Sequence, residues 1–153
     1  MNIYCLQFAA LLLWLAVFAG AYQHFFDLPR WFADPPASFE IIRKQSRKIT
    51  LFWVPLSLIL MMAFASSLFL NRSLPVVRNY IVASIACFAL AKTLSAVYFV
   101  KEIVAFSRTP ISAPKTPGLV IRVKFWKRWT LLRDVLQVMA ALLVTVAKAA
   151  ATT

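Results

Sequence analysis

Four long stretches with few or no charged side chains limit how this chain can fold more than any other feature. They cover residues 3–24, 50–71, 79–101 and 129–150. A helix rises about 1.5 Å per residue, so about 20 apolar residues cross a hydrocarbon core of roughly 30 Å. Lipid offers no hydrogen-bond partners to the backbone, so each stretch is expected to be helical. The sequence predicts an all-α integral membrane protein, an up-down four-helix bundle built as a single membrane domain over residues 1–153.

The composition excludes several soluble classes of protein. Apolar residues make up 62% of the chain and charged residues 14%, unlike the roughly 45–50% and about 25% of soluble domains. Only two glycines are present, which argues against a glycine-rich loop that cradles phosphates or a dinucleotide. The net charge of +12 does not indicate nucleic-acid binding, because the basic residues lie next to the apolar stretches rather than on a soluble fold.

The distribution of Lys and Arg predicts the orientation in the membrane. The predicted connections at residues 25–49 and 102–128, with their flanking residues, hold thirteen of these side chains, and the opposite side holds three. Because Lys and Arg are retained on the cytoplasmic side, both connections are expected in the cytoplasm and both termini outside it. The predicted location is the plasma membrane, as in a bacterial inner membrane, with anionic inner-leaflet lipids as partners.

The segment before the second span supports two interpretations. Asp34-Pro35-Pro36 is typical of a helix start, with an Asp cap followed by proline in the first turn. Phe39, Ile42 and Ile49 then share one face. This pattern fits a short helix lying on the inner membrane surface, and it equally fits the first turns of one long second helix. In the second case Pro55 is expected to kink the helix.

No metal site or cofactor is predicted. The chain has one histidine, His24, so it cannot supply two axial imidazoles to a haem. Cys5 and Cys87 are not spaced as a metal or redox pair, and the predicted helix directions place them at different depths, which argues against a disulfide.

Lys92 is the charge that the predicted spans isolate most clearly. It lies near the middle of the bilayer or somewhat inward, where an ammonium group costs at least a few kcal/mol. It either snorkels to the inner interface or faces the bundle, where an anionic ligand or another chain could meet it.

Polar side chains at the cytoplasmic ends of three spans suggest a pocket open to that side. His24 and Asp27 lie one turn apart, so His24 is a candidate base, Asp27 its orienting group and Lys92 the group that stabilises negative charge. The predicted ligand pocket is lined by five further residues: Ser95, Tyr98, Glu102, Arg133 and Gln137. The alternative is that these side chains simply meet water and headgroups at the interface.

The layout resembles the anthrone-oxygenase-like family of small four-span membrane proteins, much of which has no known function. The resemblance covers nearly the whole chain and is carried by Ala19-Gly20-Ala21, Pro29, Asp34-Pro35 to Phe39, Arg43, Ser46, Trp126-Lys127-Arg128-Trp129 and Leu132-Arg133. In that family a histidine often precedes the fourth span, where this chain has Thr130. The fungal members oxidise polycyclic aromatic anthrones without an obvious cofactor. The resemblance therefore implies a membrane pocket for a lipophilic molecule.

The sequence favours a small polytopic membrane protein that binds a lipophilic small molecule or partner helices. One alternative is a cofactor-independent, oxygenase-like enzyme acting on a polycyclic aromatic or quinone-like substrate. Another is an accessory subunit of a larger membrane complex, in which alanine-rich faces at Ala83, Ala86, Ala140 and Ala141 pack against other helices. A transporter is less favoured because the four spans contain no inverted repeat.

Overall fold

The structure is a computed structural model that describes residues 3–152. Four helices account for most of this part of the chain, and it contains no β-strand. They are α1 (Ile3–Trp31), α2 (Phe39–Leu70), α3 (Pro75–Arg108) and α4 (Pro117–Ala150). All four are long and apolar enough to cross a membrane. The predicted all-α four-helix bundle is confirmed, and the protein is a multi-pass membrane protein.

The helices form a closed ring in which each packs against its neighbours in sequence and α1 also packs against α4. The connections at residues 32–38, 71–74 and 109–116 are short, so successive helices run antiparallel. One end of the bundle therefore carries the first and third connections. We call it the basic end, because most of the Lys and Arg residues lie there.

The helices are longer than the apolar stretches that predicted them. Lengths of 29 to 34 residues correspond to about 44 to 51 Å, against a hydrocarbon core of roughly 30 Å. Most residues of the predicted connections 25–49 and 102–128 are therefore helical. The difference arises because hydropathy locates the edge of the hydrocarbon, whereas a helix ends where its backbone meets a breaker or a cap.

The second helix settles the choice between the two interpretations of its first turns. It is one continuous helix, Phe39–Leu70, with Pro55 inside it. Phe39 and Ile42 are fully buried against the rest of the bundle. Because of this packing, the first turns continue along the axis of α2, and no separate surface helix forms.

Two apolar cores are stacked along the bundle. The membrane core includes Leu6, Leu13, Leu60, Ile81 and Val144. The basic-end core contains many aromatic residues and consists of Leu28, Trp31, Phe32, Phe39, Ile42, Phe99, Phe106, Leu119, Val123 and Trp126. The second core explains why the helices remain packed beyond the apolar stretches.

A band of polar side chains separates the two cores between α1 and α4. We call it the polar layer and define it by Gln23, His24, Arg133, Asp134 and Gln137. Near the same level both α1 and α3 contain a single π-helical turn, at Gln23–Asp27 and Ser95–Phe99 respectively. Such turns insert one extra residue into an α-helix and are frequent at functional sites. The candidate site lies at this level.

Candidate ligand site between the first and fourth helices

The π-helical turn of α1 positions the single histidine. His24 is the second residue of that turn, and its side chain is 29% exposed. Its Nδ1 lies 3.3 Å from Oδ2 of Asp134 on the facing helix α4. Nδ1 and Oδ2 are both buried and make no hydrogen bond within residues 3–152, whereas the other ring nitrogen, Nε2, is not among the atoms that are buried without a partner. The buried side of the ring thus faces a carboxylate, and Nε2 stays accessible.

Arg133 holds the carboxylate that faces His24. Its Nη2 and Nε donate to Oδ1 of Asp134 over 2.7 and 3.0 Å. The guanidinium carbon also lies 5.3 Å from the centre of the Phe99 ring. The side chains of Arg133 and Asp134 are only 11% and 18% exposed. Because burying one charge without a partner is costly, each member of this pair stabilises the other.

Gln137 and Gly20 close the polar layer on the side of the membrane core. Gln137 is 3% exposed, and its Oε1 has no hydrogen-bond partner within residues 3–152. A Cβ atom added at Gly20 would lie 3.4 Å from that oxygen and 3.6 Å from Oδ1 of Asp134. Glycine therefore leaves open the space beside two acceptor oxygens.

A cavity of about 470 Å³ opens between α1 and α4 on the basic-end side of the polar layer. Its walls are His24, Phe25, Leu28, Pro29, Lys127, Arg128 and Leu131. His24 belongs to both the cavity and the polar layer. The volume is within the range of about 300–1,000 Å³ typical of small-molecule sites, and the cavity is a groove that is more open than enclosed.

Lys92 lies in a different place from His24. Its ammonium group is 5.1 Å from the centre of the Phe88 ring and 5.3 Å from that of Trp53. Ring faces attract cations, which offsets part of the cost of a half-buried charge. Within the described residues no carboxylate lies within 4 Å of Lys92, and Lys92 does not line the cavity with His24.

The other predicted site residues are also spread over several places. The Ser95 hydroxyl donates to the carbonyl of Ala91 in its own helix over 2.8 Å. Glu102 accepts from Arg122 over 2.9 Å. Tyr98 lines a second cavity of about 270 Å³ whose other walls are Leu94, Phe99, Phe125 and Trp129. The structure therefore brings together His24, Arg133 and Gln137, but not the whole predicted pocket.

The structure gives His24 a different carboxylate partner from the predicted one. The side chain of Asp27 makes no ion pair or hydrogen bond in the part of the chain that the structure describes, and the π-helical turn changes the α-helical spacing on which the one-turn pairing was based. Asp134 takes that position. A sequence signal for it existed, since Asp134 is the only acidic residue within the four predicted spans. Ionisable residues inside a membrane are functional candidates by default.

The polar residues at the cavity mouth were not predicted as site residues. Lys127 and Arg128 contribute to the family resemblance, but nothing in the sequence assigned them to the predicted pocket. In the structure they continue α4 toward the basic end and line the cavity with His24. Comparisons with family models, with curated proteins and with solved structures found no match to this chain.

Proposed function

We propose that the protein binds a lipophilic small molecule from the bilayer in the cavity between α1 and α4. The observation that carries this proposal is the cavity itself, which combines an apolar wall with the polar atoms of His24, Lys127 and Arg128. Binding sites for small molecules usually combine these features, with a few polar groups that fix the orientation of the ligand.

The position of the cavity fits access from the lipid. Phe25 and Leu131 line it and are 71% and 55% exposed, so its rim faces the surroundings of the bundle. Phe25 directly follows His24 on α1, and Leu131 precedes Arg133 by two residues on α4, so both residues lie beside the polar layer. A lipophilic molecule in the bilayer could enter sideways without crossing the packed cores.

The test is to identify compounds that remain bound during purification and to fill the cavity. The protein is extracted in a mild detergent, and lipophilic compounds are identified by mass spectrometry. Leu131→Trp places a larger side chain in the cavity wall and is expected to reduce retention of the bound compound about tenfold.

Leu132→Trp is the matched control, because Leu132 is also exposed but does not line the cavity. Enrichment that survives in Leu132→Trp and is lost in Leu131→Trp supports the proposal. Equal retention in both variants, or no enriched compound at all, contradicts it.

A second candidate function is an enzymatic proton transfer, and the contact between His24 and Asp134 favours it. The carboxylate of Asp134 lies 3.3 Å from Nδ1 without a hydrogen bond between them, which leaves Nε2 as the candidate general base. In this proposal Nε2 takes a proton from an acidic carbon of a polycyclic aromatic or quinone-like substrate. Lys127 and Arg128 then stabilise the carbanion, the role that the sequence assigned to Lys92. The resemblance to the anthrone-oxygenase-like family supports this class of substrate.

Anthrone is a suitable probe for this second candidate, because its methylene protons are acidic. The rate of hydrogen–deuterium exchange at that carbon is measured with the protein in lipid nanodiscs. His24→Gln is expected to reduce the protein-dependent exchange rate by about 100-fold, the lower range for loss of a general base. An exchange rate that is unchanged in His24→Gln contradicts the role of base and leaves ligand binding standing.

We also infer that the basic end lies in the cytoplasm, with both termini outside it, in a membrane such as the bacterial inner membrane. The excess of Lys and Arg at that end supports this orientation. The same residues would attract anionic lipids of the inner leaflet.

A further inference from the structure

Four of the five carboxylate side chains of the protein pair with a cation, whereas Asp27 on α1 makes no ion pair within residues 3–152. Asp34 pairs with Lys115 over 3.1 Å, and Glu102 pairs with Arg122 over 2.9 Å. Glu40 pairs with Arg43 over 2.8 Å and lies 3.7 Å from Lys44. Asp134 belongs to Arg133 in the polar layer. None of these carboxylates lines the cavity.

The two cations that line the cavity have no such partner. Within residues 3–152, no carboxylate oxygen lies within 4 Å of Lys127 or Arg128. Lys127 is nevertheless held in place, because its ammonium group lies 5.6 Å from the centre of the Phe32 ring. Phe32 is only 6% exposed and belongs to the basic-end core. The two cations of the cavity wall therefore have no carboxylate within 4 Å, and one of them, Lys127, rests on a buried ring.

The polar and apolar parts of the cavity are separated along the long axis of the bundle. Lys127 and Arg128 precede Leu131 by about one turn on α4, so the cations lie nearer the basic end. Phe25 and Leu131 lie nearer the membrane core. A molecule with a charged head and an apolar body would thus enter with the same orientation as a lipid in the adjoining leaflet.

We propose that the occupant of this cavity is an anionic amphiphile, with a carboxylate or phosphate head bound by Lys127 and Arg128 and an apolar body against Phe25, Leu28 and Leu131. This inference rests on the proposed ligand-binding function and adds the chemical class of the ligand. Charge complementarity carries it, since Lys and Arg donate several strong hydrogen bonds to an anionic head and the cavity wall contains no acid to repel it.

The experiment compares probes that share a twelve-carbon chain and differ in the charge of the head. Binding of dodecanoate, dodecyl phosphate, dodecanol and dodecyltrimethylammonium is measured by equilibrium dialysis. The full chain is held in phosphatidylcholine nanodiscs, and empty nanodiscs correct for partition into lipid. Both anionic probes are expected to bind about tenfold or more tightly than dodecanol, and the cationic probe more weakly than dodecanol.

Variants assign the effect to the cavity. Lys127→Gln and Arg128→Gln are each expected to lower the affinity for dodecanoate about three- to tenfold while leaving that for dodecanol unchanged. Lys124→Gln is the matched control, because Lys124 is an exposed cation on the same helix with no carboxylate partner and does not line the cavity. An equal loss of dodecanoate binding in Lys124→Gln would mean that general surface charge attracts the probe, which overturns the proposal.

The remaining outcomes separate the two proposals. If dodecanoate and dodecanol bind equally, the cavity binds lipophilic molecules but does not select anions, so only this inference fails. If no probe binds above the empty nanodiscs, the proposed ligand-binding function fails with it. Inorganic phosphate alone is expected not to displace dodecanoate. Displacement of dodecanoate by phosphate at equal concentration would identify a site for simple anions and overturn the proposal that the ligand is an amphiphile.

Discussion

Nδ1 of His24 lies 3.3 Å from Oδ2 of Asp134, so the single histidine of the chain faces the only carboxylate of the fourth helix. The contact joins α1 and α4 at the level where the membrane core gives way to the basic-end core. Arg133 holds the other oxygen of the same carboxylate. Asp134 is therefore expected to matter for both the stability of the bundle and the properties of His24.

Asp134→Asn is expected to destabilise the bundle by about 2–4 kcal/mol, because it leaves the guanidinium of Arg133 mostly buried without a counter-charge. The free energy of unfolding in mixed micelles would measure this loss. Asp27→Asn is the matched control, since Asp27 makes no ion pair among the described residues, and a loss of no more than about 0.5 kcal/mol is expected for it. Equal losses in the two variants would contradict the assignment of Asp134.

Substitutions at Gly20 are expected to raise or lower the stability of the bundle, depending on the length of the new side chain. A Cβ atom there meets Oε1 of Gln137 at 3.4 Å, which is an ordinary contact, so Gly20→Ala is accommodated and gains up to about 1 kcal/mol of helix propensity.

Gly20→Leu extends into the polar layer and is expected to cost about 1–3 kcal/mol. Thermal unfolding of the two variants in the same detergent checks the difference. A Gly20→Leu variant as stable as Gly20→Ala would mean that the space beside Gln137 is larger than the structure shows.

Lys92→Met is expected to change the free energy of unfolding by no more than about 1 kcal/mol. The substitution removes the attraction of the Trp53 and Phe88 rings, but it also removes a half-buried charge that has no carboxylate partner among the described residues. Lys92 does not line the cavity between α1 and α4, so retention of the bound compound is expected to stay unchanged. A loss of that compound with the fold intact would show that Lys92 and His24 act on one ligand.

Cysteine accessibility tests the orientation. In a variant in which Cys5 and Cys87 are replaced by serine, a single cysteine is introduced at Lys44 or at Arg78. These two exposed positions lie at opposite ends of the bundle. An impermeant maleimide added to intact cells is expected to label Arg78→Cys only. Labelling of Lys44→Cys from outside would reverse the proposed orientation.

Much of the fold could be predicted from the sequence because the bilayer leaves few alternatives. Apolar length alone located the four helices, and their up-down order places the first and third connections at one end. The ends of the helices could not be predicted in this way. Hydropathy does not predict that Phe39 and Trp126 pack together in the basic-end core, and this packing extends the helices beyond the hydrocarbon.

The candidate site was predictable only in part. His24, Arg133 and Gln137 were selected as polar groups near one level, and the structure places them together. The partner of His24 was not predicted, because helical spacing assumed an α-helix where the chain forms a π-helical turn. The placement of Lys92 against Trp53 depends on how α2 and α3 pack, which no local pattern contains.

The helices are longer than a bilayer is thick, so their length alone does not fix how deeply the protein sits. The Lys and Arg side chains of the basic end limit the depth of insertion. If the bundle were inserted more deeply in the bilayer, the turns that carry Lys127 and Arg128 would enter the hydrocarbon core and lose contact with water. These two cations therefore limit how deeply the protein is inserted. In a thicker membrane, the bilayer would have to thin around the protein, because the basic end does not enter the hydrocarbon core.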